Sequence, residues 1–113
     1  MILIERKLAK LLENQVAVLD EASQTLQMAE THRQHAVALG KRGEVDAAQK
    51  TLQLVDTLVA EAELNIGLYH TVHGNPETGM LHLLEARAAY SRLHELSLVS
   101  QVTEYMKSIG IKA

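Results

Sequence analysis

The sequence predicts an all-α fold of three long helices in an antiparallel, up-down-up bundle. Glycine and proline are scarce, with six and one in 113 residues, and they divide the chain into three long segments. Within each segment the apolar residues recur at intervals of three and four, the period of a helix that buries one face. The length suits a single domain covering residues 1–113. With only 3% aromatic residues, the core is expected to consist of aliphatic side chains.

Each helix boundary is predicted from residues that stop or start helices. Gly40, Gly74 and Gly110 suit the left-handed position that follows a helix. Asn75 and Pro76 suit the cap and the first residue of a new helix. The connections are short, so neighbouring helices are expected to be antiparallel. The predicted helices span about residues 2–39, 44–73 and 76–109.

The apolar stripes on helices 2 and 3 are wider than one inward face of a three-helix bundle. Self-association as a dimer or trimer would cover the excess, and so would a kink near Ser97 that folds the end of helix 3 back as a fourth helix. The residues predicted to form the association surfaces are Leu54, Leu58, Leu68 and Val72 on helix 2, and Leu96, Val99, Val102 and Met106 on helix 3.

Gly67 lies inside helix 2, where glycine costs about 1 kcal/mol relative to alanine. A glycine at such a position indicates that another helix approaches closely. We therefore expect a tight helix contact at Gly67.

Three of the six histidines cluster around the second helix boundary. His70 and His73 share one side of helix 2, and His82 is expected nearby on an antiparallel helix 3. Together with Glu77 or Glu5 they could form a site for Zn, Ni or Cu. Histidines near helix C-termini are also explained by attraction to unpaired carbonyl groups, so a purely structural role stays open.

Two resemblances bear on function. The stretch GKRGEVDAAQ resembles a tetratricopeptide turn, but helix 2 is too long for that repeat and no second copy follows. The turn is also similar to that of the IIA subunits of lactose and cellobiose phosphotransferase systems, which are three-helical and trimeric. Those subunits need a phosphorylated histidine beside an acid on the third helix, where this chain reads LLEARAAY with Glu85 in the approximate place. A phosphocarrier role, with His82 as the candidate, is the weaker alternative.

Composition and charge narrow the function further. The net charge of −3 gives no basic surface for nucleic acid, and the chain has no cysteine for thiolate chemistry. No segment has the length and hydrophobicity of a signal peptide or membrane span, so a cytoplasmic location is expected. Short loops offer little room for a catalytic site.

The sequence thus favours a non-catalytic protein, without a cofactor, that associates with itself and with a partner protein, as an adaptor, assembly factor or chaperone-like subunit. A histidine-based metal-binding bundle is the alternative.

Overall fold

The computed structural model describes residues 2–110, and this part of the chain is α-helical with no β-strand. The predicted all-α class is therefore confirmed, but five helices replace the three expected. Met1 and residues 111–113 of the predicted domain lie outside the described residues. The helices are α1 (Ile2–Glu13), α2 (Gln15–Lys41), α3 (Val45–Val72), α4 (Pro76–Arg92) and α5 (Leu96–Ser108).

The first predicted helix, over residues 2–39, is in fact two helices that meet at Asn14. The backbone of Asn14 is nearly extended, with φ −156° and ψ 89°, and its side-chain oxygen accepts a hydrogen bond of 3.2 Å from the Ala17 amide. This is the geometry of an N-cap, in which a side chain replaces a missing helical acceptor. The prediction of one continuous helix was wrong because asparagine stops the helix here without glycine or proline.

The third predicted helix, over residues 76–109, is also divided. The break occurs at Leu93–Glu95, slightly before the kink considered near Ser97, and α5 folds back as a separate helix. The boundary between α3 and α4 lies where the sequence predicts it.

The three turns after α2, α3 and α4 share one geometry. The middle residues are Gly43, Gly74 and His94, with φ values of 79°, 78° and 59°. In each turn the next residue donates its amide hydrogen to the carbonyl five positions earlier, over 2.9, 2.8 and 3.0 Å. This pattern closes a helix with a left-handed residue. Gly40 was the wrong choice for this position, since it lies inside α2 and Gly43 ends the helix.

Helices α2 and α3 form a long antiparallel hairpin whose seam is made of small residues. Buried alanines recur every seven residues in α2, at positions 22, 29 and 36, which keeps them on one face. Small side chains allow two helix axes to approach closely. The buried residues of the hairpin seam are Val18, Ala22, Ala29, Ala36 and Leu39 in α2, and Ala48, Val55 and Ala62 in α3.

Helices α3 and α4 approach each other closely at Gly67 and Gly79. A Cβ atom on Gly79 would lie 2.9 Å from the Gly67 carbonyl oxygen and 3.2 Å from the Thr71 amide nitrogen. One on Gly67 would lie 2.8 Å from the Leu83 side chain. The expected close approach at Gly67 is confirmed, and the second glycine of the contact was not predicted.

The main core lies where α1, α4 and α5 cover the C-terminal part of α3. The Tyr105 hydroxyl of α5 is 2.8 Å from the Thr71 hydroxyl of α3. The Lys7 ammonium of α1 donates to Asn65 Oδ1 over 3.0 Å and pairs with Glu61. The buried members of this core are Ile4, Ala60, Leu64, Leu68, Leu83, Ala86, Ala89, Tyr90, Val102, Tyr105 and Met106.

We expect Gly79→Ala to lower the free energy of unfolding by about 1–3 kcal/mol, because its methyl group would meet backbone atoms that cannot rotate away. Gly40→Ala is the matched control. It lies in α2 with nothing within 4 Å of the added Cβ, so it should raise stability by up to about 1 kcal/mol. Urea unfolding of both variants measures the difference. Equal stabilities would contradict the tight crossing.

His94 holds a left-handed backbone that costs most residues roughly 1–2 kcal/mol. His94→Gly should therefore raise the free energy of unfolding by about 0.5–1 kcal/mol, after the greater flexibility of unfolded glycine is subtracted. The reciprocal change, Gly74→Ala, should lower it by about 1 kcal/mol, since no atom lies within 4 Å of the new Cβ and the loss comes from the backbone. Thermal unfolding tests both. Destabilisation by His94→Gly would disprove the assignment.

Candidate functional site

Two histidines face each other across the contact of α3 and α4. The rings of His70, near the end of α3, and His82, in α4, are stacked with centroids 5.6 Å apart and planes 11° apart. His82 Nδ1 donates to Glu63 Oε2 over 2.7 Å. The carboxylate thereby fixes the orientation of the His82 ring, and the three side chains form one cluster, which we call the histidine cluster: Glu63, His70 and His82.

His70 is a half-buried member of the cluster with one ring nitrogen that is unpaired in the part of the chain described. Its Nδ1 atom is buried and has no hydrogen-bond partner within residues 2–110. Burial lowers the pKa of His70 below its usual value, and the neighbouring His82 and His73 lower it further. A positive charge on His70 is therefore disfavoured in the folded chain.

His73 belongs to a different set of contacts. Its Nδ1 donates to the Tyr69 carbonyl oxygen over 2.8 Å, and its Nε2 lies 2.8 Å from Gln15 Oε1 of α2. Its ring also stacks on Tyr69 with a centroid separation of 4.2 Å. Both ring nitrogens are thus engaged, Nδ1 within α3 and Nε2 in a contact between the end of α3 and the start of α2.

The metal set proposed from the sequence is not assembled in this structure. His73 is held by other partners, Glu77 is exposed, and the near-parallel planes of His70 and His82 direct their nitrogens alongside each other instead of toward one point. In the described part of the chain no group of three or more His, Cys, Asp or Glu side chains is arranged to hold a metal ion. Metal binding, and with it a role for Glu5, stays a prediction.

Glu63 is the functional side chain that the sequence analysis missed. It precedes His70 by seven residues, which places the two on the same face of α3, two turns apart. The seven-residue spacing alone could have indicated that Glu63 and His70 share a face of the helix. Glu85, in contrast, is exposed on α4.

The residues predicted for association surfaces divide into three groups. Leu68, Val102 and Met106 are buried in the core of the single chain, because α4 and α5 fold back onto α3, and they are not part of its surface. Leu58 and Val99 are half-buried. Leu54, Val72 and Leu96 are exposed.

The end of the α2–α3 hairpin is not covered by α4. Arg92, the last residue of α4, donates from Nε to Asp56 Oδ1 of α3 over 2.9 Å. Eleven residues of α3, Val45–Val55, precede Asp56 and span roughly 16 Å. We call this uncovered part of the two helices, residues 36–55, the hairpin tip.

Apolar side chains are exposed along the hairpin tip. The exposed fractions of Val37, Val45, Leu52 and Leu54 are 53%, 57%, 45% and 41%. Where the tip meets α4, an open notch of about 420 Å³ is lined by Arg33, Leu52, Val55, Asp56 and Arg92. Two of the five lining residues are aliphatic and three are charged.

Comparison with known proteins finds no matching family model, no matching curated protein and no matching solved structure. Within residues 2–110, none of the helices combines the length and the hydrophobicity needed to cross a bilayer. The functional interpretation of this all-helical chain therefore depends on its own residues.

Proposed function

We propose that this chain is a non-catalytic helical protein that acts by association, and that its hairpin tip binds a second copy of the same chain. The observation that carries the proposal is the uncovered tip with four exposed aliphatic side chains. Single exposed apolar residues are common on protein surfaces, but several on one short projection are typical of a contact surface.

The energetics of the tip support this proposal. Within the tip, few side chains are buried in the seam between α2 and α3, and most of them are small. They include Ala36, Leu39 and Ala48. Short helical segments gain most of their stability from tertiary packing, and this seam supplies little of it. A second copy would bury the exposed aliphatic groups at about 25 cal/mol for each Å² removed from water.

The pattern of the tip suits its own copy. Val45 and Leu52 are both exposed and seven residues apart, which is the spacing of a helix-pairing seam. Cations at the end of α2, Lys41 and Arg42, lie beside acids at the start of α3. Within one chain Arg42 already pairs with Glu44 over 3.1 Å. A two-fold axis through such a mixed surface can place a cation of one copy opposite an acid of the other.

The absence of a catalytic step is part of the proposal. The turns that follow α2, α3 and α4 contain three residues each, so they offer little of the loop surface on which catalytic groups are usually carried. Adaptors, assembly factors and chaperone-like subunits are the classes of protein that act through such a surface. A partner protein would compete with the second copy of the chain for the tip.

We expect the wild-type chain to sediment as a dimer at high micromolar concentration, and Val45→Glu/Leu52→Glu to sediment as a monomer. The two positions are exposed, and a glutamate in the first turn of α3 is favourable, so the variant should fold. Leu54 follows Leu52 by two residues, which is a rotation of about 200° around the helix axis. Leu54→Glu therefore tests the opposite side of α3. Sedimentation velocity measures the association directly.

Leu81→Glu is the matched control, because Leu81 is 62% exposed but lies on α4 away from the tip. It should leave the dimer intact. A wild-type chain that stays monomeric at several hundred micromolar would refute self-association. A dimer dissociated by Leu81→Glu and not by the tip variants would place the contact elsewhere.

A further inference from the structure

Helix α1 is joined to α2 by one non-helical residue, Asn14, which we call the hinge. Across the bend, the Lys10 ammonium pairs with Glu21 over 3.4 Å, and both side chains are exposed. Exposed ion pairs contribute little to stability. Beneath the bend, α1, α2 and α3 leave a cavity of about 100 Å³, so α1 is not closely packed on α2 there. The bend is therefore held by few interactions of its own.

Helix α1 is held mainly by α3 and α5, at a surface that we call the α1 seat: Glu61, Asn65 and Gln101. The Lys7 ammonium donates to Asn65 Oδ1 and pairs with Glu61, both in α3. The Leu3 amide donates to Gln101 Oε1 of α5 over 3.2 Å. The seat thus presents polar groups that match those of α1, beside the main core.

Two large aliphatic side chains lie on the outside of the bend. Leu12, in α1, and Val16, in α2, are each 70% exposed, and they stand on either side of the hinge. They are four residues apart, so they would be neighbours on one face of a continuous helix, with Leu8 one turn earlier. The bend divides an apolar stripe that a straight helix would present as one surface.

The sequence around the hinge also suits a straight helix. Residues 1–39 contain neither glycine nor proline. Asparagine is a strong N-cap, but within a helix it is less costly than glycine. A straight hinge would carry the 12 residues of α1 about 18 Å beyond the start of α2. In that form α1 could not reach the seat of its own chain.

We infer that α1 is exchanged between two copies of this chain: the hinge straightens, and the α1 helix of each copy occupies the α1 seat of the other. A second copy is the occupant because its α1 brings the groups that fit the seat within one chain, namely the buried Ile4, the Lys7 ammonium and the Leu3 amide. The exchange is two-fold symmetric, so each copy gives one helix and receives one.

The exchanged form gives the exposed residues at the hinge a partner. Residues 12–16 of the two chains lie side by side in it, so Leu12 and Val16 of one copy can cover those of the other. The α1 seat lies on the C-terminal half of α3, whereas the hairpin tip contains its N-terminal end. The exchange is therefore independent of the proposed tip dimer.

Exchange requires α1 to leave its seat. This step exposes Ile4 and Leu11, which are both 1% exposed in the single chain. Exchange is therefore slow in the folded protein and is reached when concentrated chains refold together. Chains that are kept folded retain the bent hinge, so the sedimentation test of the hairpin tip is unaffected.

Cross-linking between two differently substituted chains tests the exchange, and the absence of natural cysteine makes it specific. Lys10→Cys and Glu21→Cys chains, one of them isotope-labelled, are mixed in urea, refolded together at several hundred micromolar and treated with a short bismaleimide. Both chains also contain Val45→Glu/Leu52→Glu, which removes the tip dimer. We expect a covalent heterodimer, identified by mass spectrometry, because the Lys10–Glu21 contact then joins two chains.

Two controls make the result decisive. Lys10→Cys/Glu21→Cys in one chain, refolded when dilute, should cross-link internally, which shows that the reagent spans the contact. Glu30→Cys replaces Glu21→Cys in the matched mixture, since Glu30 is exposed on α2 about 14 Å further along. No heterodimer, or equal yields with Glu21→Cys and Glu30→Cys, would overturn the exchange. Failure of the internal cross-link would contradict the α1 seat and overturn it as well.

Substitution of the hinge provides a second test. Asn14→Ala removes the cap from the bent form and favours the straight helix, so the association constant after refolding should rise about tenfold for each hinge. The exchanged dimer contains two hinges, which gives about a hundredfold. Asn14→Gly is the control, because glycine is tolerated as an N-cap and disfavoured inside a helix, so association should not rise. Sedimentation velocity in the Val45→Glu/Leu52→Glu background measures both. Equal association of Asn14→Ala and Asn14→Gly would overturn the inference.

Discussion

The close approach of α3 and α4 at Gly67 and Gly79 is the constraint on which the rest of the structure depends. Because these two backbones are in contact, the position of α4 along α3 is fixed. The last residue of α4, Arg92, therefore contacts Asp56 and does not extend along the earlier residues of α3. That position leaves the hairpin tip uncovered and brings His70 opposite His82. It also allows α5 to return along α4, so that Tyr105 meets Thr71 beside the crossing. The exposed surface and the half-buried histidine cluster thus have the same structural origin.

The two halves of α3 are stabilised in different ways. Its C-terminal half is buried among leucines, Met106 and two tyrosines, with α1, α4 and α5 around it. Its N-terminal half packs on α2 through a seam in which alanine predominates, and it meets α4 at the Asp56–Arg92 pair. Since hydrophobic stabilisation grows with the apolar area removed from water, the C-terminal half of α3 contributes most of the folding free energy. We therefore expect the hairpin tip to open locally at a lower free energy than the core.

The sequence predicts those parts of the fold that are marked by glycine, proline or large apolar residues. The ends of α3, the start of α4 and the tight contact at Gly67 were found in this way. The breaks at Asn14 and His94 were missed because an asparagine cap and a left-handed histidine stop helices without either marker. The alanine seam of α2 was not predicted, since alanine adds little to a hydrophobic pattern. Leu68, Val102 and Met106 were assigned to a surface because the return of α5 was only one of several ways to cover them. The pairing of His70 with His82 was anticipated, but Glu63 required knowledge of the register between α3 and α4.

The histidine cluster and the hairpin tip are connected by a single element. Twenty-five residues separate Val45 from His70 along α3, a distance of about 37 Å. Helix α4 ends before the tip, and α2 reaches this end of α3 through the hydrogen bond between Gln15 and His73, which is not a member of the cluster. Any effect of a proton at His70 on association at the tip must therefore pass through α3 or through its seam with α2. That seam consists of small side chains with little freedom to rearrange, so it would transmit a shift of the whole helix better than a local change of rotamers. Movement of α4 alone leaves α3 in place, and for this reason a change at the histidine cluster and association at the tip are expected to be separate properties of the chain.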